Sequence, residues 1–417
     1  MDVPNLLFIH RTYPGQFSYL APILTSRLRA RTIFLTLSEH NTDLKWPNVE
    51  SRRFSRHRDV SEGIHPYLER VELAVLNGQA VVRQLFALQA EGFVPDLVIA
   101  INGYGFSSYI KNIYPNCKVI TYAEWYFSDS HQLELNSKIE VNELMRINAL
   151  NLPIQDEILS ADVCICPTRW QAQQFPPEFQ EKITCIFDGV VPAEFPDGFL
   201  RESFDIQGDA MASPLTIKSG DLLLTYGTRG MEPLRGFPEF MRAAAVAQKV
   251  FKHLKVIVYG DDRVAYGMTS EECSHLSGSW RSQMLEELNG KLDLDRLYFT
   301  GLLDYQTLSK LFRRTNLHCY FTRPYIVSWA VFQASASGTP LLMNSFPGVE
   351  EVLGGASEFP LVDIESQESV NGGVLSALRQ VSIPNFTRSS QSRLAEGKDF
   401  ESCMNLWIDL IQRQLGM

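Results

Sequence analysis

Short, continuously apolar segments alternate with stretches of helical apolar spacing twice over in this chain, and a polar stretch at residues 198–219 separates the two series. Strands buried on both faces read as unbroken apolar runs, because helices cover a parallel sheet above and below. In the first half, residues 6–10, 31–37, 97–101, 119–123 and 161–166 have that character. Residues 17–30 read as a helix. Residues 64–89 place Leu68, Val71, Leu73, Val75, Val81, Leu85 and Leu88 at helical spacing. The strand pattern restarts at 222–225, 254–258, 297–299, 317–321 and 340–344. At the carboxyl end, Met404, Leu406, Trp407, Leu410, Ile411 and Leu415 describe an amphipathic helix over 400–415. The 417 residues therefore divide into α/β domains at 1–205 and 215–395, followed by a terminal segment at 396–417. No solenoid or propeller period is visible.

The net charge of −10 opposes a broad nucleic-acid footprint, which needs clustered positive charge. It leaves room for a local basic pocket. Arg52-Arg-Phe-Ser-Arg-His-Arg58 is the one basic run of note and reads as a solvated loop, or as a contact for an acidic lipid or polysaccharide. Cys164 and Cys166 would share one face of a buried strand, where packing outweighs metal or redox chemistry. Cysteines at seven positions without a disulfide framework fit a reducing cytoplasm. The amino terminus lacks the basic region and apolar length of a signal peptide, and no run reaches a membrane span. Peripheral membrane contact stays open.

The segment Tyr226-Gly-Thr-Arg-Gly-Met-Glu-Pro-Leu-Arg235-Gly carries the clearest chemistry. It follows an apolar strand and leads into a helical pattern at 238–250. Two guanidinium groups at the carboxyl end of a strand, beside a glycine-rich turn and a helix start, suit a diphosphate. Solvated surface charges are the alternative.

With these residues stand His10-Arg-Thr-Tyr-Pro-Gly-Gln-Phe17, Tyr122-Ala-Glu-Trp-Tyr126, Pro167-Thr-Arg-Trp-Gln171 and Phe187-Asp-Gly-Val190 in the amino half. Tyr266-Gly267, Trp280, Phe299-Thr-Gly301 and Arg323-Pro-Tyr-Ile-Val-Ser-Trp329 follow in the carboxyl half. Their number and order resemble GT-B glycosyltransferases of family 4 (the glycosyl transferases group 1 type), in particular a bacterial subgroup common in cyanobacteria. The resemblance implies two Rossmann-like doubly wound domains facing across a cleft, with the terminal helix crossing back to the first.

The resemblance assigns Arg229 and Arg235 to the donor diphosphate. It places Tyr325, Ser328, Trp329 and Gln333 in the Glu-x7-Glu segment, with the Ser328 and Trp329 amides toward a phosphate. Tyr325 and Gln333 replace the two glutamates. An amide offers one acceptor where a carboxylate offers two strong ones to a ribose diol, so this change weakens donor binding. Gly301 joins the nucleotide-sugar set, and Gly15 lies in the first strand-to-helix turn, near the donor or simply making the turn. Glu124 stands where an acceptor hydroxyl would be oriented; a rim carboxylate is the plainer reading. His10 has the same standing, and Trp125 and Trp170 either pack or stack on sugar. Asn344 and Glu351 match the segment that closes the donor domain.

The implied activity is retaining, metal-independent transfer of a hexose from a UDP- or GDP-sugar to a hydroxyl of a glycan, lipid, protein or small-molecule acceptor, with no cofactor besides the donor. An inactive glycosyltransferase-like binding or partner subunit stays open because of Gln333, as does an epimerase of the same architecture.

Overall fold

The computed structural model describes residues 3–37, 46–128, 141–191, 194–263, 279–353, 359–383, 386, 388 and 397–417. His131, Tyr266, Gly267 and Cys273 lie outside the described residues. Two compact units emerge, one of residues 1–189 with 400–417 and the other of residues 190–399. The division thus falls ahead of the polar stretch at 198–219, which belongs to the second unit.

In the first unit the chain runs β1 (Asn5–His10), α1 (Leu20–Arg27), β2 (Arg31–Leu37), β3 (Glu50–Phe54), α2 (Glu69–Ala90) and β4 (Leu97–Ile101). It continues through α3 (Ile110–Ile113), β5 (Lys118–Tyr122), α4 (Val141–Ser160), β6 (Val163–Cys166), α5 (Arg169–Ala172) and β7 (Ile183–Cys185). The sheet order is β3-β2-β1-β4-β5-β6-β7, and every pairing is parallel. Strand order reverses between β1 and β4. In open α/β sheets the crevice outside the carboxyl ends at such a reversal is the ligand-binding position.

The segment at 52–58 departs from the expected solvated loop. Residues Glu50–Phe54 form the edge strand β3, and Phe54 is its one buried side chain. Arg52 pairs with Glu50 and Glu91, and Arg58 with Glu72. Arg56 donates to Asn77 Oδ1 at 3.3 Å. These three arginines are engaged within the protein, while Arg53 and His57 are exposed. Cys164 and Cys166 lie side by side on β6 among Ala123, Ile154, Ile158, Ala172 and Phe175. Burial raises the Cys164 thiol to about 12, the behaviour of a packing cysteine.

The second unit begins with the antiparallel pair β8 (Phe204–Ile206) and β9 (Leu215–Ile217). A doubly wound pattern follows: β10 (Leu222–Thr228), α6 (Phe237–Val250), β11 (Leu254–Gly260), α7 (Trp280–Glu287), β12 (Leu297–Gly301) and α8 (Tyr305–Arg314). Then come β13 (Leu317–Tyr320), α9 (Trp329–Ala336), β14 (Leu341–Met343), α10 (Pro347–Leu353) and α11 (Gln367–Val381). The order β12-β11-β10-β13-β14 is again all parallel, with its reversal between β10 and β13. Its core joins Leu224, Tyr226 and Val258 of the sheet to Phe237, Phe240 and Ala244 of α6 and to Val374 and Leu378 of α11.

The last helix, α12 (Phe400–Leu415), belongs to the first unit. It buries Cys403, Met404, Trp407, Leu410 and Ile411, while Leu406, expected inside, is 47% exposed. Tyr19 meets Phe400 edge-on, and Arg27 pairs with Glu401 at 3.0 Å. Burial of each large side chain stabilises this docking by about 1.5–3 kcal/mol, whereas the exposed ion pair adds little. No helix among the described residues is long and apolar enough to cross a membrane.

Candidate functional site

The second unit's reversal point brings Arg235 and Tyr325 together. Leaving β10, the chain passes Arg229 and enters a short 3-10 turn, Pro233–Arg235, before α6 begins. Arg229 is exposed and makes no hydrogen bond or ion pair among the described residues. Arg235 is buried at 6% exposure. Its Nη1 donates to Thr322 Oγ1 at 3.1 Å and to the Ile326 carbonyl at 2.8 Å, both in the loop after β13. The Tyr325 ring lies 5.5 Å from its guanidinium carbon. Tyr325 thus supports the arginine where the related pattern has a glutamate; a ring at this distance attracts the cation without neutralising it. Tyr226 fixes the backbone of the turn by donating to the Arg235 carbonyl at 2.6 Å.

The same two loops are tied in reverse. The Arg323 amide donates to the Leu234 carbonyl at 2.8 Å, and its side chain reaches the Pro233 carbonyl and Glu239. Arg323 opens a segment quoted from the sequence but had no role assigned to it, and Thr322 was not singled out. Their importance comes from a neighbouring loop that is remote in chain order, so no local pattern announces them. Asn344 completes the frame by exchanging hydrogen bonds with the Thr322 backbone at 2.9 and 2.8 Å. Glu351 lies on α10 and pairs with Lys398 at 3.4 Å.

Helix α9 starts where expected, capped by Ser328, whose side chain accepts from the Ala330 amide at 3.3 Å. The Ser328 amide itself donates to the Tyr320 hydroxyl at 2.9 Å. That removes the expected pair of phosphate-facing amides at Ser328 and Trp329, since one of the two is already occupied. Gln333 is 9% exposed on α9, and its side-chain amide makes no hydrogen bond among the described residues.

Gly301 ends the edge strand β12. A Cβ there would lie 1.9 Å from Asp209 Oδ1 and 2.7 Å from the Ala210 amide nitrogen. Close approach of the 208–210 turn, with Leu302 donating to Asp209 at 2.7 Å, accounts for this glycine without a ligand. Asp261 pairs with Arg263, and Asp262 accepts from Ser279.

In the first unit, His10 ends β1, and the Thr12 amide donates to its Nδ1 at 2.9 Å. Gly15 has a φ of +53°, and its missing side chain is the space taken by the imidazole: a Cβ would lie 2.2 Å from His10 Cε1. Gln16 donates to Glu124 Oε1 at 2.9 Å, joining the turn after β1 to the segment after β5. Gln171 holds the Glu124 carbonyl at 2.8 Å. Trp125 is buried and Trp170 half-buried.

Beneath this surface lies Glu157 of α4, fully buried. It accepts from the Gly103 and Tyr104 amides and from the Ser107 amide and hydroxyl at 2.6–3.0 Å. Burial pushes its carboxyl above the usual range against these donors. Glu157 shapes the loop after β4. The signal that could have found it is a carboxylate on the same helical face as Ile154 and Ile158, where solvent exposure is not available.

Residues 29–194 match the model of the Glycosyl transferase family 4 group, so the resemblance read from the motifs is borne out over that stretch. No curated protein matches the chain at a significant level. Among solved structures, a sucrose-phosphate synthase from Thermosynechococcus elongatus aligns over 99% of both chains with a TM-score of 0.64 and 13% identity. HepE of Anabaena, in complex with UDP and glucose, aligns over 99% of this chain and 100% of that one, with a TM-score of 0.65 and 12% identity. A UDP-forming α,α-trehalose-phosphate synthase from Burkholderia xenovorans gives 0.66 and 12%, covering 99% of each. These likenesses show the fold: the chain has the two Rossmann-like domains of GT-B proteins.

Proposed function

We propose that this protein is a retaining glycosyltransferase that moves a hexose from a nucleotide-diphosphate sugar, UDP- or GDP-linked, to an acceptor hydroxyl. The observation that carries the reading is Arg235, a buried guanidinium fixed between the loops after β10 and β13 at the sheet's reversal point. Departure of a diphosphate builds negative charge, and a cation already held in place meets it without reorganising. Arg229, exposed and without a protein partner among the described residues, is the mobile second cation for the same group. Positive charge from two arginines supports a transfer that requires no metal.

Support also comes from the family match over residues 29–194 and from fold relatives that include a UDP and glucose complex and a UDP-forming synthase. Gln333, nine-tenths buried with a free amide, is the residue proposed to meet the ribose. Glu124, pinned at one oxygen by Gln16, is proposed to orient the acceptor hydroxyl. Calorimetric titration with UDP, GDP and their hexose conjugates tests the reading. Binding of one nucleotide, lost in Arg235→Ala and Arg229→Ala, is the expected result; a protein that binds neither nucleotide is not a transferase of this kind.

A further inference from the structure

A second pair of arginines stands at the reversal point of the first unit's sheet. Arg11 directly follows β1, and Arg70 lies in the first turn of α2. Their guanidinium carbons sit 5.5 and 5.8 Å from the centre of one ring, that of Tyr104, in the loop after β4. Arg70 is also 5.6 Å from the Phe127 ring, just beyond β5. Both arginines are half-buried, and neither side chain makes a hydrogen bond or ion pair among the described residues.

Several arginines of comparable burial end on carboxylates, Arg52 on Glu50 and Glu91, Arg146 on Glu143, Arg242 on Glu287 and Arg323 on Glu239, while Arg313 and Arg314 end on carbonyls. Arg11 and Arg70 differ from these in sharing one aromatic ring, with neither a carboxylate nor a carbonyl as side-chain partner among the described residues. Aromatic faces hold them in position and leave their forked N–H donors unspent. The nearest buried acid, Glu157, is turned to the backbone amides of Gly103 and Tyr104, and so organises the loop that carries the Tyr104 ring. Asn77 steadies the same loop by donating to the Tyr104 carbonyl at 2.9 Å.

We infer that Arg11, Arg70 and Tyr104 form an anion subsite in the first unit, and that the acceptor is a sugar bearing a phosphate or a carboxylate. Two cations beside a reversal-point crevice suit an oxyanion, and forked donors suit its planar or tetrahedral oxygens. The acceptor assignment rests on the transferase reading, whereas the subsite itself does not.

The test measures binding of glucose 6-phosphate, glucuronate and glucose to the full-length protein, to Arg11→Met and Arg70→Met, and to Arg70→Lys. UDP affinity and melting temperature are followed in parallel. Wild-type protein should prefer one anionic sugar over glucose by at least about tenfold, the effect of a charged hydrogen bond. That preference should vanish in both Met variants and partly return in Arg70→Lys, with UDP binding unchanged. The favoured probe distinguishes phosphate from carboxylate. Equal affinity for glucose and the anionic sugars, or anion binding unaltered by either Met substitution, would overturn the subsite. Failure of wild-type protein to bind either UDP or GDP would instead count against the transferase.

Discussion

Arg235 donates to the Ile326 carbonyl at 2.8 Å and so spans the two loops that leave β10 and β13. Arg323 crosses the other way, to the Leu234 and Pro233 carbonyls. The loops are thereby locked to each other where a doubly wound sheet opens for a ligand. A cation in such a frame keeps its geometry before any ligand arrives, which separates it from a surface arginine that must be ordered on binding.

Replacing Arg235 with Ala should lower nucleotide affinity and hexose transfer by at least about tenfold, reflecting one charged hydrogen bond. Stability should fall as well, since Thr322 Oγ1 and the Ile326 carbonyl lose their donor. Arg235→Lys restores charge without the fork, so it should recover part of the affinity. Calorimetry and steady-state kinetics on both variants check this; full turnover in Arg235→Ala would remove the residue from the site.

Gln333→Glu should tighten nucleotide binding by about tenfold if the side chain meets a ribose diol, because a carboxylate accepts two strong bonds where the amide accepts one. The ligand-free variant should melt lower than wild type, since a carboxylate would be buried without a protein donor. Saturating nucleotide should close that gap. Calorimetry showing no tightening would place the ribose elsewhere.

Gly15→Ala should destabilise the first unit by about 1–3 kcal/mol from backbone strain, before any displacement of the His10 ring is counted. The melting temperature should fall by about 2–4 °C per kcal/mol for a domain of this size. An unshifted melting curve would mean that the turn after β1 repacks freely.

Continuous apolar strands such as β2 and β4 were legible to the residue, because a strand buried on both faces has only one pattern available. The edge strand β3 was not. Its residues Glu50, Ser51, Arg52 and Arg53 carry polar chemistry on a half-solvated edge, and their ion pairs reach across the fold to Glu91. At the site, Arg235 was found because a glycine-rich strand-to-helix turn is a local signature. Thr322 and Glu157 escaped, and Arg323 was quoted without its role, because their partners are loops far away in chain order. Gly301 shows the complementary ambiguity: a glycine required by a close contact looks in sequence like a glycine required by a ligand.

His318 sets a pH dependence. It is fully buried on β13, with Thr225 Oγ1 2.9 Å from Nδ1, the rings of Phe312 and Tyr259 against it, and no partner at Nε2 among the described residues. Burial lowers its pKa from 6.5 to about 3. A depressed folded-state value means that the unfolded chain takes up the proton first as pH falls. The contribution of neutral His318 is therefore whole above 6.5 and is lost progressively between 6.5 and about 3. Denaturation of wild-type protein should show a stability loss across this window that His318→Gln lacks, and the two curves should converge on acidification. Parallel curves would mean that the imidazole titrates in the fold as it does in the unfolded chain.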